Sequence, residues 1–135
     1  MAKVQRVKYF KISLEDKPGA LLGIARELKA KNIGLAGIWG YATQPGSAEA
    51  FFIAKNPDKL RNTWKSAGVA MAEGTGLFLK GTDKTGALVK SLEVLAQAGI
   101  NIMAIDAIAV SGNFGSFLHV APDDVDKAAA ALGAK

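Results

Sequence analysis

Two short stretches of the chain, "DKPGALLGI" and "DKTGALVKS", combine a carboxylate, a glycine and an apolar segment. In each, an Asp (Asp16 or Asp83) ends an extended segment, and a Gly (Gly19 or Gly86) permits tight backbone geometry before a predicted helix. The unpaired N–H groups and the positive dipole end of a helix start can bind a carboxylate, while the Asp side chain can bind an ammonium group. Each turn therefore offers the two charged subsites that an α-amino acid requires.

A purely structural interpretation of the same residues remains open at this point. Asp before a helix is a common N-cap, and Gly is a common turn residue. Repetition does not decide between the two interpretations, because a duplicated scaffold also duplicates its caps.

Both stretches belong to an internal repeat that covers most of the chain. Identical or similar residues recur at an offset of 67, from the pair Asp16 and Asp83 to the pair Ile38 and Ile105. "AFFIA" at residues 50–54 and "FLHVA" at residues 117–121 align at the same offset. Two copies of this length predict a duplicated domain rather than a solenoid. We place the first domain at residues 1–73 and the second at residues 74–135.

The periodicity of each copy predicts its elements. Alternating apolar residues at Phe10, Ile12 and Leu14 predict a half-buried strand before the first turn. After each glycine, apolar residues three and four apart predict an amphipathic helix: Leu21, Ile24, Ala25 and Leu28, then Leu88, Leu92 and Leu95. Second strands follow at residues 33–41 and 100–110, and they end at the turns "TQPGS" and "SGNFGS". Third strands lie on the "AFFIA" and "FLHVA" stretches. Second helices begin at Pro57 and Pro122. The first copy adds a short strand at residues 69–72.

This order predicts an α+β fold of two ferredoxin-like βαββαβ sandwiches in tandem, each an antiparallel sheet with helices on one face. The second copy has no residues left for its last strand. An unpaired sheet edge normally has to be covered. The opening run "KVQRVKYFKISL" is longer than one strand requires and could supply the missing strand.

Composition argues against several classes of function. The chain has no Cys, which excludes disulfides, iron–sulfur clusters, Cys-based zinc sites and thiol nucleophiles. One histidine, His119, cannot form a His-rich metal site, and no nucleophile is paired with a base. We therefore expect no enzyme activity, no cofactor and no metal. No run approaches the roughly 20 apolar residues of a membrane helix and no signal peptide is evident, so we expect a cytoplasmic protein without membrane contact.

Two other binding functions are alternatives at this stage. The net charge is +5, and RNA-recognition domains share this element order, but the third strands carry no Lys or Arg, so the sequence argues against nucleic acid. The second alternative is a ligand-free interaction module. It is suggested by the apolar side chains expected on the outer face of the third strands, Phe52 and Phe117 with His119.

The motif "D-K-P-G-A-L" before an apolar helix, with "N-I-G-L" or "G-I-N-I" leading into the next strand, resembles the ACT domain, a regulatory module that binds amino acids. The resemblance covers nearly the whole chain as two copies. It implies that ligands lie at interfaces between paired modules, where they contact the strand-to-helix turn and a polar residue early in the second strand. Carried over by position, these contacts are Asp16, Gly19, Ala20 and Leu21 in the first copy, and Asp83, Gly86, Ala87, Leu88 and Asn101 in the second.

Under this mapping the two copies are not equivalent. Asn101 matches the polar contact of the family, whereas the aligned residue of the first copy, Gly34, has no side chain. The second copy also has Thr85 in place of the more usual Pro18. The resemblance therefore implies a non-catalytic, amino-acid-binding regulatory protein in which the second turn makes the better contact. A homodimer would cover the expected apolar face of the third strands and the open sheet edge, and would create the interfaces where the family binds its ligands. We expect a homodimer, with a regulated protein as a further partner.

Overall fold

The computed structural model describes residues 2–134, which form six strands and four helices. In chain order these are β1 (Lys3–Glu15), α1 (Ala20–Ala30), β2 (Leu35–Gln44), β3 (Ser47–Ala54), α2 (Pro57–Ser66), β4 (Ala72–Thr82), α3 (Val89–Gln97), β5 (Ile102–Val110), β6 (Asn113–Val120) and α4 (Val125–Leu132). The α+β fold and the ferredoxin-like order of elements are confirmed. None of the described helices is long and apolar enough to cross a membrane.

The chain divides into two compact units. The first unit is Lys8–Gly74, and the second combines Met1–Val7 with Thr75–Lys135. The strands β1 and β4 contribute residues to both units. The division of the repeat at residues 73 and 74 stays a prediction, because compactness does not test where a duplicated segment begins.

In the first unit the strand order is β2-β3-β1-β4, with β3 antiparallel to both β1 and β2. Phe10 lies opposite Phe52, and both rings meet Trp64 of α2 edge to face, at centroid distances of 6.4 and 5.3 Å. Leu28 of α1 and Leu60 of α2 are buried in the same core. The apolar positions of the two helices thus cover one face of the sheet.

The second unit repeats this order as β5-β6-β4-β1, and the last strand of this order is the beginning of β1. Ala2 and Val4 pack against the core formed by residues such as Leu79 and Leu118. Arg6 forms an ion pair with Asp126 of α4. The opening run of the sequence therefore supplies the strand that the second copy lacks.

The expected strand at residues 69–72 is wrong in its bounds, because β4 begins only at Ala72. The preceding residues instead terminate α2. Gly68 has a φ of 74°, and the N–H of Val69 donates to the carbonyl of Trp64 at 3.0 Å, which is a left-handed helix cap. Val69 also packs against the core of the first unit, so these residues are fixed by the helix end before the strand begins.

The offset of 67 does not hold in the third strands. Ile38 pairs with Phe52, and the aligned Ile105 pairs with Leu118, so the structural counterpart of Phe52 is Leu118, not His119. The shift follows an irregularity between Ala42 and Gln44 that β5 does not share at the corresponding position. Consequently the prediction that Phe52 faces outward is wrong.

Two further boundaries differ from expectation. The "SGNFGS" turn is confined to Ser111 and Gly112, since β6 already starts at Asn113. The helix expected from Pro122 begins with a 3₁₀ turn, Pro122–Asp124, and becomes α-helical at Val125. Both differences are small shifts of element ends.

Candidate functional site

The first turn connects β1 to α1 through a left-handed glycine. The N–H of Asp16 donates to the carbonyl of Gly46 at 3.1 Å, which fixes the end of the strand. Gly19 has a φ of 86° and is the N-cap of α1, which begins at Ala20. Leu21 is exposed on the first turn of this helix. The predicted contacts Asp16, Gly19, Ala20 and Leu21 thus lie together on one exposed segment.

The second turn has the same strand end but a later helix start. The N–H of Asp83 donates to the carbonyl of Gly112 at 2.9 Å, and Gly86 has a φ of 77°. The expected immediate helix start is wrong here. The N–H groups of Ala87 and Val89 bond to carbonyls three residues back, so a tight turn precedes α3 at Val89. Asp83, Gly86, Ala87 and Leu88 lie together on this turn.

Neither Asp acts as an N-cap. The N-caps of α1 and α3 are Gly19 and Leu88, and neither helix has a side-chain cap. By contrast, α2 is capped by Asn56, whose Oδ1 accepts from the N–H of Lys59 at 3.1 Å. Within residues 2–134, the carboxylates of Asp16 and Asp83 have no hydrogen-bond or ion-pair partner. The capping interpretation of these residues is therefore wrong.

The helix starts at both turns retain free donors. In α1 the N–H groups of Leu21 and Leu22 have no backbone acceptor among the described residues. The same holds for Lys90 and Ser91 in α3. Each turn thus combines free N–H groups at a positive helix end with an exposed, unpaired carboxylate.

Asn101 is separated from the second turn within its own unit. β4 ends at Thr82, which lies opposite Asn113. The last residue of β5, Val110, also lies opposite Asn113, so both strands end on the same side of the unit. Asn101 directly precedes the other end of β5, roughly 25 Å away for a strand of this length. A single copy of the unit therefore does not bring Asn101 and Asp83 together.

The aligned position in the first unit, Gly34, lines a groove of about 350 Å³. A Cβ atom at Gly34 would be 3.2 Å from Cδ of Lys55, so a larger residue would press against that lysine. The groove is lined by Ala25, Leu28, Lys29, Asn32, Ile33, Gly34 and Leu35. None of the predicted contact residues lines it.

On the sheet faces that lie away from the helices, aromatic side chains pack against one another. In the first unit Phe51, not Phe52, faces outward, and its ring packs against those of Tyr9, Trp39 and Tyr41 at centroid distances of 5.8, 5.2 and 6.1 Å. In the second unit the ring of the buried Phe117 packs against those of Phe78 and His119, at centroid distances of 6.0 and 6.4 Å. Of the three residues that the sequence suggested as an exposed apolar face, Phe117 and His119 lie in such a cluster, whereas Phe52 lies in the core on the other face of the sheet.

Among the large apolar residues, those with the highest exposed fractions lie on β5. Ile108 and Val110 are 68% and 67% exposed, and Met103 and Ile105 are also exposed. In its unit β5 pairs with β6 alone. Its one charged residue, Asp106, is half-buried, and its Oδ1 accepts from the N–H of Phe117 at 3.2 Å. The edge strand therefore carries a single charge, which is partly exposed.

No family model and no curated protein matches the sequence. Solved structures do match. A protein of Bacteroides thetaiotaomicron is 24% identical with a TM-score of 0.82, and the match covers 98% of this chain and 88% of that one. The regulatory subunit of aspartate kinase from Thermus thermophilus, in its ligand-free form, is 14% identical with a TM-score of 0.63, covering 98% and 94% of the two chains. Escherichia coli aspartokinase III in complex with lysine and aspartate is 19% identical with a TM-score of 0.51, covering 94% of this chain and 30% of that chain.

At these identities the likeness establishes the fold. It extends over nearly the full length of this chain and of the aspartate kinase regulatory subunit, an ACT-domain protein. The resemblance drawn from the two glycine turns is thereby confirmed at the level of the fold, which the chain shares with this regulatory subunit.

Proposed function

We propose that this chain is a non-catalytic regulatory protein that binds an amino acid at its Asp–Gly turns. The observation that carries the proposal is the contrast between helix starts. At both turns the helix start has no side-chain cap and lies beside an unpaired carboxylate, whereas α2 is capped by Asn56. The helix α4 also has no side-chain cap, but it follows a 3₁₀ turn rather than an Asp–Gly turn. Free donors and a free carboxylate suit the two charged groups of an α-amino acid.

Each charged group of the ligand has a place at the second turn. The α-carboxylate binds the free N–H groups at the start of α3, where the helix dipole favours an anion. The ammonium group binds the carboxylate of Asp83. We favour this turn over the first because Asn101 has a side chain that Gly34 lacks.

The ligand also requires a second copy of the chain, because Asn101 lies at the far end of β5 from Asp83. Antiparallel pairing of β5 with the same strand of a second chain would bring the start of one strand beside the end of the other. The partner subunit's Asn101 would then lie on the same side as Asp83. We therefore propose a homodimer with the amino acid at the interface between modules, the modules being residues 1–73 and 74–135.

The fold neighbours support a regulatory role. One is a regulatory subunit, and another is an aspartokinase solved with lysine and aspartate, so the shared fold occurs in a protein that binds amino acids. We accordingly propose a regulated protein as the partner of this chain and the cytoplasm as its compartment. The proposal includes no cofactor, no metal and no nucleic acid.

A ligand-free interaction module is the second candidate, and one observation favours it. The largely apolar edge of β5 is a surface that another strand could cover whether or not a small molecule is bound. The two candidates differ in one measurable property, which is the response of the protein to amino acids.

A thermal-shift screen of the twenty L-amino acids tests the proposal. A ligand that binds only the folded state raises the melting temperature by mass action. With the amino acid that gives the largest shift, we expect Asp83→Ala and Asn101→Ala each to weaken binding about tenfold or more, because each removes a hydrogen bond to a charged group. Asp123→Ala, an exposed Asp outside both turns, is the matched control and should retain wild-type affinity.

Two results would contradict the proposal. No shift with any of the twenty amino acids favours the ligand-free module. Wild-type affinity in both the Asp83 and Asn101 variants removes the second turn as the binding site, even if an amino acid binds elsewhere.

A further inference from the structure

Ser91 is a buried hydroxyl without a hydrogen bond. It lies in the first turn of α3, has 0% exposure, and its Oγ has no partner among the described residues. At the aligned position the first copy has Ile24, an apolar residue that suits the buried face of a helix. The second copy thus has an unpaired polar side chain where the first copy has a partly buried apolar one that packs against the core.

The other buried serine behaves differently. Oγ of Ser116 donates to the carbonyl of Asp106 at 2.6 Å, so its hydroxyl is paired. Burying a hydroxyl without a partner costs free energy, and buried polar groups are therefore nearly always hydrogen-bonded. Ser91 is an exception that requires an explanation.

The geometry of a helix favours a Ser91 hydroxyl that faces the second turn. Cα–Cβ bonds in a helix tilt towards its N-terminus, and residues three or four apart share a face. Ser91 is three residues after Leu88 and four after Ala87, both of which are predicted contact residues. The N–H groups of Lys90 and Ser91 are free at the same helix end.

We propose that the Ser91 hydroxyl donates a hydrogen bond to the α-carboxylate of the bound amino acid, together with the free N–H groups at the start of α3. This assignment rests on the proposed function. It makes Ser91 a carboxylate-binding residue that only the second copy possesses. It also accounts for the missing partner, because the acceptor belongs to the ligand.

Binding must then change the second turn. Ser91 is fully buried without a ligand, so the segment between Asp83 and Val89 has to move outward before a carboxylate reaches Oγ. The unpaired hydroxyl destabilises the free form, and its pairing favours the bound form. Ser91→Ala should therefore raise or maintain the melting temperature of the free protein while weakening binding.

The experiment compares wild type, Ser91→Ala and Ser116→Ala in the full chain by isothermal titration. The probes are the L-amino acid giving the largest shift in the twenty-member screen and its α-carboxamide, which lacks the carboxylate charge. We expect Ser91→Ala to bind the free amino acid about tenfold more weakly, as for a lost hydrogen bond to a charged group. We expect it to bind the carboxamide within about twofold of wild type, because a neutral acceptor gains little from the hydroxyl.

Ser116→Ala controls for general disturbance of the core, and should lower the melting temperature without changing affinity. Wild-type affinity of Ser91→Ala for the free amino acid would overturn the inference and leave the proposed function standing. An equal loss for the acid and the carboxamide would also overturn it. If no amino acid binds wild type, the proposed function fails and this inference fails with it.

Discussion

Arg61 connects a helix, a strand and an aromatic ring of the first unit through one guanidinium group. Its Nε donates to Glu73 at 2.8 Å, and Nη1 donates to Asp58 at 2.6 Å. The guanidinium carbon lies 5.6 Å from the centre of the Phe10 ring. The side chains of Arg61 and Glu73 are only 25% and 29% exposed, so this pair is less screened by water than an ordinary surface ion pair. It links α2 to the start of β4.

This pair predicts a pH dependence of stability. The hydrogen bond from Arg61 holds the pKa of Glu73 below its ordinary value of 4.5. The stabilising contribution is therefore complete above pH 4.5 and is lost as the pH falls through the lower pKa of the folded state. At neutral pH we expect Glu73→Gln to lower the free energy of unfolding by about 1 kcal/mol, or the melting temperature by about 4 °C.

Denaturant unfolding of wild type and Glu73→Gln between neutral pH and pH 3 measures this dependence. The difference between the two proteins should shrink as the pH falls. In an Arg61→Met background the same exchange should have little effect at any pH. A difference that persists unchanged at low pH would show that the Glu73 carboxylate contributes through packing rather than charge.

The residues of the candidate site were partly predictable. Asp16 and Asp83 could be identified because residue type and position relative to a helix start are visible in the sequence. Ser91 could not, because a serine on a helix is usually exposed, and only the burial of its hydroxyl makes it unusual. Its alignment with Ile24 was the available signal, since that pairing places it on the apolar face of α3.

Among the elements, α1 depends on two glycines in opposite ways. Gly19 has a φ of 86°, a conformation that L-residues adopt at a cost, and no atom lies within 4 Å of the position that a methyl group would occupy there. Gly23 is inside the helix with ordinary φ and an equally open Cβ position. Any difference between Ala variants at these two sites therefore comes from backbone conformation rather than from collision.

We expect Gly19→Ala to destabilise the protein by about 1 kcal/mol through left-handed strain, and Gly23→Ala to stabilise it by about 0.5–1 kcal/mol through helix propensity. Chemical denaturation of the two variants and wild type gives both values. Stabilisation by both exchanges would mean that the first turn does not require the left-handed conformation of Gly19.

The remaining differences between predicted and observed elements have local causes. Strand and helix types followed from apolar periodicity, which a single sequence displays directly. The start of β4 did not, because the left-handed cap at Gly68 involves Val69 in a hydrogen bond to Trp64, and an apolar residue there is equally typical of a strand. The inward orientation of Phe52 was missed because of the irregularity in β2 between Ala42 and Gln44. It shifts the alignment of the two copies by one residue, and a shift of one residue exchanges the two faces of a strand.

For the molecule as a whole, the opening strand completes the second copy. The second unit takes its fourth strand from Lys3–Val7, which is the first part of β1. The rest of β1 belongs to the first unit. Ala2 and Val4 add apolar contacts, and Arg6 adds an ion pair to α4. The unusual length of β1, thirteen residues, was the signal in the sequence for the origin of this strand.

One edge of the second unit remains uncovered in a single chain, and that edge predicts the assembly. β5 has nine residues, is regular from Ala104 to Val110, and carries one half-buried charge, Asp106, whereas β2 is irregular at both ends. Natural sheets usually protect such an edge with charges, irregularities or a covering segment. We therefore expect the proposed homodimer to form by antiparallel pairing of β5 with its copy, and Ile108→Lys to dissociate it by placing two like charges at the two-fold interface.

Sedimentation velocity of wild type, Ile108→Lys and Ile38→Lys tests this assembly. Ile38 is the matched control, an exposed isoleucine of β2 in the first unit. We expect wild type and Ile38→Lys to be dimers and Ile108→Lys to be a folded monomer whose amino-acid affinity is reduced, because the partner subunit's Asn101 is no longer supplied. A monomeric wild type would contradict the homodimer. A dimeric Ile108→Lys that still binds the amino acid would place the interface elsewhere, and would require Asp83 and Asn101 to act at separate sites.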